Sequence, residues 1–183
     1  MQRLFWILTI LNVLLIVAAV FWLPEMIATH FDLAGLPNGW MRKVEFIALM
    51  GIIVLLAIVY WVPISFLFKI CSPEFFSIPN HNYWTQDDNI TQLRAILLRI
   101  WWETGCVVMT VPIWTSIEIV YANSKAAPTT GNEIWFGGLL IIALTVSIIK
   151  CFLALRIPKE KKMINVEEAL ANPEETKETP KLY

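Results

Sequence analysis

The run VEFIALMGIIVLLAIVYWVPISFLF at residues 44–68 decides the fold class, because it carries no charge after Glu45. A helix of about 20 mostly apolar residues crosses the hydrocarbon layer of a bilayer, and this run is long enough to do so. Its apolar residues are continuous and do not alternate with polar ones, which favours a helix over a strand of a closed barrel. The run therefore predicts a membrane-spanning helix.

Three further apolar runs flank this one along the chain, and they cover residues 4–23, 104–121 and 134–155. Their strongly polar members are few, chiefly Asn12, Glu118 and Lys150. We therefore predict an all-α, polytopic membrane protein with four transmembrane helices in a single domain, residues 1–157. The first run is longer than the apolar part of a secretory signal peptide and lacks its small-residue cleavage pattern, so we expect a retained anchor.

The composition supports the same class and excludes others. The chain has 183 residues, of which 57% are hydrophobic and 16% charged, with a net charge of −1. A soluble domain is about 45–50% apolar and about 25% charged, so too few charges are present to cover a water-exposed surface. This composition argues against a water-soluble enzyme and a disordered chain, and a nucleic-acid binder would be clearly basic.

The distribution of Lys and Arg predicts the orientation of the four spans. With four spans both termini share a side. Without the distant Lys177 and Lys181, that side holds nine cations against three on the other. The nine are Arg3, Lys69, Arg94, Arg99, Lys150, Arg156, Lys159, Lys161 and Lys162, and the three are Arg42, Lys43 and Lys125. Because cytoplasmic loops carry the excess of cations, both termini are expected to be cytoplasmic.

Eight of the nine tryptophans fall near the predicted span ends, where an indole ring is buried and its N–H stays wet. Those assigned to the inner interface are Trp6, Trp61, Trp84, Trp101 and Trp102, and those assigned to the outer one are Trp22, Trp40 and Trp135. Interfacial belts explain them without a ligand.

Two segments flank the spans on the cytoplasmic side. Residues 86–103 have apolar residues at helical spacing and acidic residues at their start, which predicts an amphipathic entry into the third span. Residues 158–183 contain five Lys and six Glu and few apolar residues. Such a composition buries too little apolar surface to fold alone, so a charged, mostly disordered cytoplasmic tail is expected.

The loop between the first two spans, residues 24–43, is the segment richest in special residues. It combines turn formers with a histidine, two carboxylates and two cations, and we expect it to be an ordered outer loop. His30 and Asp32 were considered as metal ligands with Glu25 nearby. A zinc site needs at least three protein ligands, so we favour a histidine that bonds the loop backbone or Asp32, with pH sensing as a minority alternative.

The spacing in this loop resembles the signature of a bacterial membrane domain of unknown function. That domain forms the N-terminal part of SdpI-type immunity proteins. The matching positions are Leu23, Pro24, Ile27, His30, Phe31, Gly35, Pro37, Gly39, Trp40 and Lys43. A second element of such proteins, Pro-Asn-x-x-Tyr-Trp, is similar to Pro79, Asn80, Tyr83 and Trp84.

The resemblance implies a bacterial cytoplasmic (inner) membrane protein with a role in immunity or sensing, and it brings no catalytic residues. SdpI-type proteins carry a further C-terminal membrane module, and no counterpart of it follows the fourth span here. The resemblance therefore supports the membrane domain more than the immunity or sensing role. The resemblance and the loop's composition mark candidate partner-binding residues: His30, Asp32, Gly35, Pro37, Gly39, Trp40, Lys43, Asn80, Tyr83 and Trp84. For the second element, a turn with an aromatic anchor at the inner interface is favoured over a docking surface.

Ionisable groups inside spans are expensive and mark function when they occur. Arg99 and Glu103, four residues apart, are interpreted as a structural pair near the inner interface, whereas Glu118 faces either a cavity or a partner helix. The three cysteines are not expected to form a disulfide.

The function hypothesis is a non-enzymatic protein that binds a membrane-protein partner or forms a homo-oligomer, as an immunity-like factor or an accessory subunit. Alternatives are a small transporter or channel that uses Glu118, and a metal-dependent membrane enzyme with its metal at His30. No cofactor, no metal and no nucleic-acid partner are expected.

Overall fold

The computed structural model describes residues 1–32, 34–124 and 133–156, with the backbone alone for residues 133–137. This part of the chain is mostly helical. Its elements are the helices α1 (Gln2–Trp22), α2 (Lys43–Ile70), α3 (His81–Trp84), α4 (Asp87–Asn123) and α5 (Glu133–Ala154), a 3₁₀ turn (Pro73–Phe75), and the strands β1 (Met26–Phe31) and β2 (Pro37–Arg42). The charged tail predicted at residues 158–183, and Lys125, lie outside the described residues.

Three of these helices, α1, α2 and α4, are long and apolar enough to cross a membrane, as expected for a membrane protein. Their most apolar windows have mean hydropathies of 2.7, 2.7 and 1.5. Within α5 the stretch Gly138–Ala154 forms a shorter apolar helix.

Helix α4 is the centre of the bundle, because α1, α2 and α5 all pack against it. It is 37 residues long, about 55 Å at 1.5 Å per residue. The segment at residues 86–103 and the third apolar run therefore belong to one continuous helix. Asp87 and Asp88 occupy its first turn, where carboxylates interact favourably with the helix dipole.

The all-α prediction misses one element, an antiparallel hairpin of β1 and β2 between α1 and α2. Ile27 pairs with Met41 and Ala28 with Trp40, and the register shifts on both sides of His30. The strands are short and their loop is dense in turn residues, so the sequence reads as an irregular connection. Irregular register weakens the alternation that identifies a strand.

The buried residues form three clusters stacked along the bundle. We call the end that carries the hairpin the hairpin end, and the end that carries α3 and the last turns of α2 and α5 the basal end. The cluster at the hairpin end is built on Ala19, Leu23, Ile27, Phe46, Met50 and Ile119. The middle cluster contains Phe5, Ala57, Trp102, Cys106 and Met109, and the basal cluster contains Tyr83, Trp84, Leu93 and Leu155.

Between α1 and α4 the contact includes a buried amide. Asn12, which is 1% exposed, donates from Nδ2 to the carbonyls of Leu8 at 2.9 Å and Met109 at 3.1 Å. A polar side chain in an apolar layer is stable when its donors are used, so this contact fixes the relative height of the two helices.

Candidate functional site

The hairpin is held against the bundle by its inner face. Ile27 is fully buried and packs in the cluster at the hairpin end, with Phe31 and Met41 against it. Where the two strands join the helices, the Lys43 backbone N–H donates to the Glu25 carbonyl at 2.9 Å, and Lys43 Nζ lies 3.8 Å from the Glu25 carboxylate. The predicted ordered loop is thus a hairpin seated on the helix ends.

A side-chain amide at the end of α4 fastens the free edge of β1. The Ala28 N–H donates to Asn123 Oδ1 at 2.8 Å, and Asn123 Nδ2 donates to the Ala28 carbonyl at 3.0 Å. Asn123 Nδ2 also donates to the Ile119 carbonyl of its own helix at 2.9 Å. The amide therefore pairs with the Ala28 backbone as a neighbouring strand would, and closes that edge where it would otherwise stay open.

The turn of the hairpin is built by Asp32 and Gly35. Asp32 Oδ1 accepts the backbone N–H groups of Ala34 and Leu36, both at 2.9 Å. Gly35 has φ 77°, a left-handed conformation that favours glycine. Because the Asp32 carboxylate accepts two loop amides, its role is structural, and the pairing of His30 with Asp32 considered above is not observed.

His30 lies across the hairpin from Gly39. A Cβ at Gly39 would come within 2.9 Å of His30 Cβ and 3.0 Å of His30 Nδ1, so only glycine leaves room for the ring. His30 Nδ1 is 3.2 Å from the Thr29 hydroxyl. Among the described residues no three His, Cys, Asp or Glu side chains are grouped closely enough to hold a metal ion.

The outer face of the hairpin presents large exposed side chains. Trp40 is 54% exposed and Met26 51%, and Arg42 beside them is exposed. Arg42 Nε donates to Glu45 Oε1 at 2.8 Å, which connects this face to the first turn of α2. Pro37 is half-buried at the start of β2. Seven of the predicted binding residues, His30 to Lys43, are thereby brought together on one hairpin.

The second group of predicted binding residues is Asn80, Tyr83 and Trp84. It lies at the basal end of the bundle, opposite the hairpin end. Asn80 Nδ2 donates to the Leu155 carbonyl at 3.0 Å, and Trp84 Nε1 donates to the same oxygen at 2.8 Å. Asn80 has φ 58°, which places it in the left-handed region before α3. The segment therefore satisfies a carbonyl at the end of α5, a position that helices leave unpaired.

This geometry corrects the belt interpretation for several tryptophans. Trp84 is 1% exposed and Trp102 5%, and the Trp84 N–H donates to the Leu155 carbonyl and not to water. Trp61 and Trp101 stack with centroids 5.1 Å apart, and each donates its indole N–H to the other's carbonyl at 2.9 Å. Trp22 and Trp40 do remain exposed.

Gly105 of α4, which the sequence reading did not single out, makes this Trp61–Trp101 pair possible. A Cβ there would meet Trp61 Nε1 and Cδ1 well inside contact distance, and Phe5 Cδ2 at 3.1 Å. A glycine directly after the bulky run Ile100–Thr104 is the signal that could have identified it. Asn123 offers no comparable signal, because its partner Ala28 is 95 residues away.

The polar residues predicted to lie within or near the membrane, Arg99, Glu103 and Glu118, are all on α4. Arg99 Nε donates to Glu103 Oε1 at 3.0 Å, so the two form the ion pair expected from their spacing. The Arg99 side chain is 77% exposed and that of Glu103 18%. Glu118 is half-buried near the hairpin end of the helix.

No curated protein and no solved structure matches the chain. Residues 7–55 match the model of a protein family, a domain of unknown function called DUF1648. The matched segment runs from α1 through the whole hairpin into α2 and stops before Asn80, Tyr83 and Trp84. The hairpin, most of α1 and the first part of α2 are therefore similar to DUF1648.

Proposed function

We propose that this chain is a non-enzymatic integral membrane protein that binds a protein partner through the exposed face of its hairpin. It acts in the bacterial inner membrane as an immunity-like factor of the SdpI type or as an accessory subunit of a membrane complex. The proposal rests on one observation, the hairpin whose inner side is fastened and whose outer side is exposed.

A hairpin that is already held in place favours binding on energetic grounds. Binding by a flexible loop loses affinity to the ordering of the loop, whereas a surface already held in place avoids that loss. Asn123 and the buried Ile27 hold the hairpin before any partner arrives. Tryptophan, methionine and arginine are enriched in the cores of protein interfaces, and Trp40, Met26 and Arg42 supply all three on the free face.

Substitution of Trp40 by alanine is expected to weaken capture of the partner about 30-fold, the loss typical of a central aromatic anchor. The measurement is copurification of the tagged chain from native membranes in mild detergent, with the bound protein quantified against the tagged one. Because the Trp40 side chain is 54% exposed, the melting temperature should stay unchanged, which separates lost binding from lost folding.

Phe75→Ala is the matched control, since Phe75 is an exposed aromatic residue, 82% exposed, at the basal end. It should capture as much partner as the unaltered chain. The proposal fails if the unaltered chain elutes alone and its deletion leaves membrane complexes and toxin tolerance intact. Equal capture by the Trp40 and Phe75 variants would also overturn the hairpin as the binding surface.

The proposed topology has four spans, with α5 as the fourth, both termini cytoplasmic and the hairpin outside. It is supported by the excess of cations among the residues at the basal end of the bundle. An Asn38→Cys variant, with Cys71, Cys106 and Cys151 replaced by serine, is expected to react with a membrane-impermeant thiol reagent in intact spheroplasts. Labelling only after the membrane is opened would invert the orientation.

A further inference from the structure

A groove of about 540 Å³ runs along α4 between α1 and α5. Its lining is almost entirely apolar and comes from Leu4, Leu8, Cys106, Val107, Thr110, Trp114, Leu139, Leu140 and Ala143. Two of the helices that line it, α1 and α4, are long and apolar enough to cross a membrane, and α5 contributes a shorter apolar stretch. The size of the groove falls within the range of small-molecule sites, about 300–1,000 Å³.

The lining favours a flexible chain over a helix as the occupant. Helices that pack in membranes use small residues, which allow close approach of their backbones. Here six of the nine lining residues are Leu, Val or Trp, and three, Cys106, Thr110 and Ala143, are small. Branched side chains around a narrow, open-sided cavity suit an acyl chain.

The basal end of the groove is bordered by cations. Along α4, Arg99 lies seven residues before Cys106, and along α5, Lys150 lies seven residues after Ala143. Seven residues are close to two helical turns, so each cation is on the face that lines the groove. Cys151 packs in the basal cluster with Leu97, which puts Lys150 at nearly the same height as Arg99.

The charges at this end leave a positive balance. Glu103, on the same face of α4, accepts the Nε–H of Arg99. Since the Arg99 side chain is 77% exposed, the outer end of its guanidinium faces outward, and Lys150 is exposed as well. Two cations and one carboxylate give a net charge of +1, which complements a phosphate.

We propose that the groove binds an acyl chain of one anionic phospholipid from the leaflet at the basal end, with its phosphate between Arg99 and Lys150. Basic residues between transmembrane helices bind such headgroups, and each cation near the surface contributes enough to change affinity about fivefold. This site is separate from the hairpin and does not depend on the proposed partner.

The test is native mass spectrometry of the purified full chain with added dioleoyl phosphatidylglycerol or dioleoyl phosphatidylcholine. One phosphatidylglycerol should remain bound at collision energies that remove phosphatidylcholine. The double variant Arg99→Gln, Lys150→Gln should bind it about 25-fold more weakly. Lys69→Gln is the matched control, because Lys69 is an exposed cation at the basal end of α2, which does not line the groove, and it should bind as the unaltered chain does.

A second variant tests the groove itself. Ala143→Phe places a ring in the groove and is expected to reduce binding of phosphatidylglycerol, while the charge variant remains informative if this one does not fold. Equal retention by the double variant and the control would overturn the proposal. Two other results would also overturn the proposal. A dimer that is observed for the unaltered chain and lost in Ala143→Phe would show that a second copy occupies the groove. Displacement of the lipid by inorganic phosphate alone would show that the site recognises phosphate and not an acyl chain.

Discussion

Gly105→Ala is expected to destabilise the protein by about 3 kcal/mol, the upper part of the range for overpacking a close contact. The added methyl group would collide with the Trp61 indole and press on Phe5. To make room, the Trp61 indole must move, which breaks its hydrogen bond to the Trp101 carbonyl and disturbs its stacking on Trp101. For a chain of this size the melting temperature should fall by about 6–12 °C.

The measurement is thermal unfolding of the purified protein in detergent, with Gly51→Ala and Gly138→Ala as controls. A Cβ at either of these helical glycines meets nothing within 4 Å. Because alanine is the better helix former by about 1 kcal/mol, these variants should be as stable as the unaltered chain or more so. In a Trp61→Phe background the loss caused by Gly105→Ala should shrink, and an undiminished loss would place its cause elsewhere.

Trp84→Ala is expected to have the second large effect, about 4 kcal/mol, as for other buried aromatic truncations. The indole is 1% exposed, packs against Tyr83 with centroids 4.9 Å apart, and donates to the Leu155 carbonyl. Its removal leaves a cavity in the basal cluster and only Asn80 on that carbonyl. The end of α5 should then open more often.

Hydrogen exchange of the last turn of α5, together with thermal unfolding, measures this effect. Trp84→Phe keeps most of the packing and loses the indole N–H, so it should cost about 1 kcal/mol. Trp22→Ala is the control for a tryptophan that is 74% exposed, and its effect should stay within about 0.5 kcal/mol. Two results would refute the role of Trp84. One is faster hydrogen exchange at the end of α5 in Trp22→Ala, and the other is an unchanged exchange rate there in Trp84→Ala.

The helices could be predicted from the sequence because the pattern that identifies a helix lies within the helix itself. A continuous apolar run such as residues 44–68 identifies a helix without any knowledge of its neighbours. The same holds for α4, where acidic residues at the start and apolar residues at helical spacing predicted a helix entering the third span. Orientation and partner binding remain predictions, since they depend on the membrane and on other molecules.

The hairpin and the basal contact were harder to predict, because both are made by residues distant in sequence. The register of β1 and β2 shifts around His30, which removes the alternation a strand normally shows. Trp84 was assigned to an interface on the general preference of indoles, yet its N–H meets a carbonyl 71 residues away. Composition locates a tryptophan near a span end, but it does not say whether water or backbone accepts its proton.

The clamp of Asn123 on Ala28 also orders the assembly of the protein in time. The hairpin leaves the ribosome between α1 and α2, and the amide that fastens β1 is made 95 residues later. Until α4 has formed and packed against the hairpin, the edge of β1 at Ala28 lacks this amide. Assembly therefore has a late step, in which α4 packs against a hairpin synthesised well before it and fastens the edge of β1.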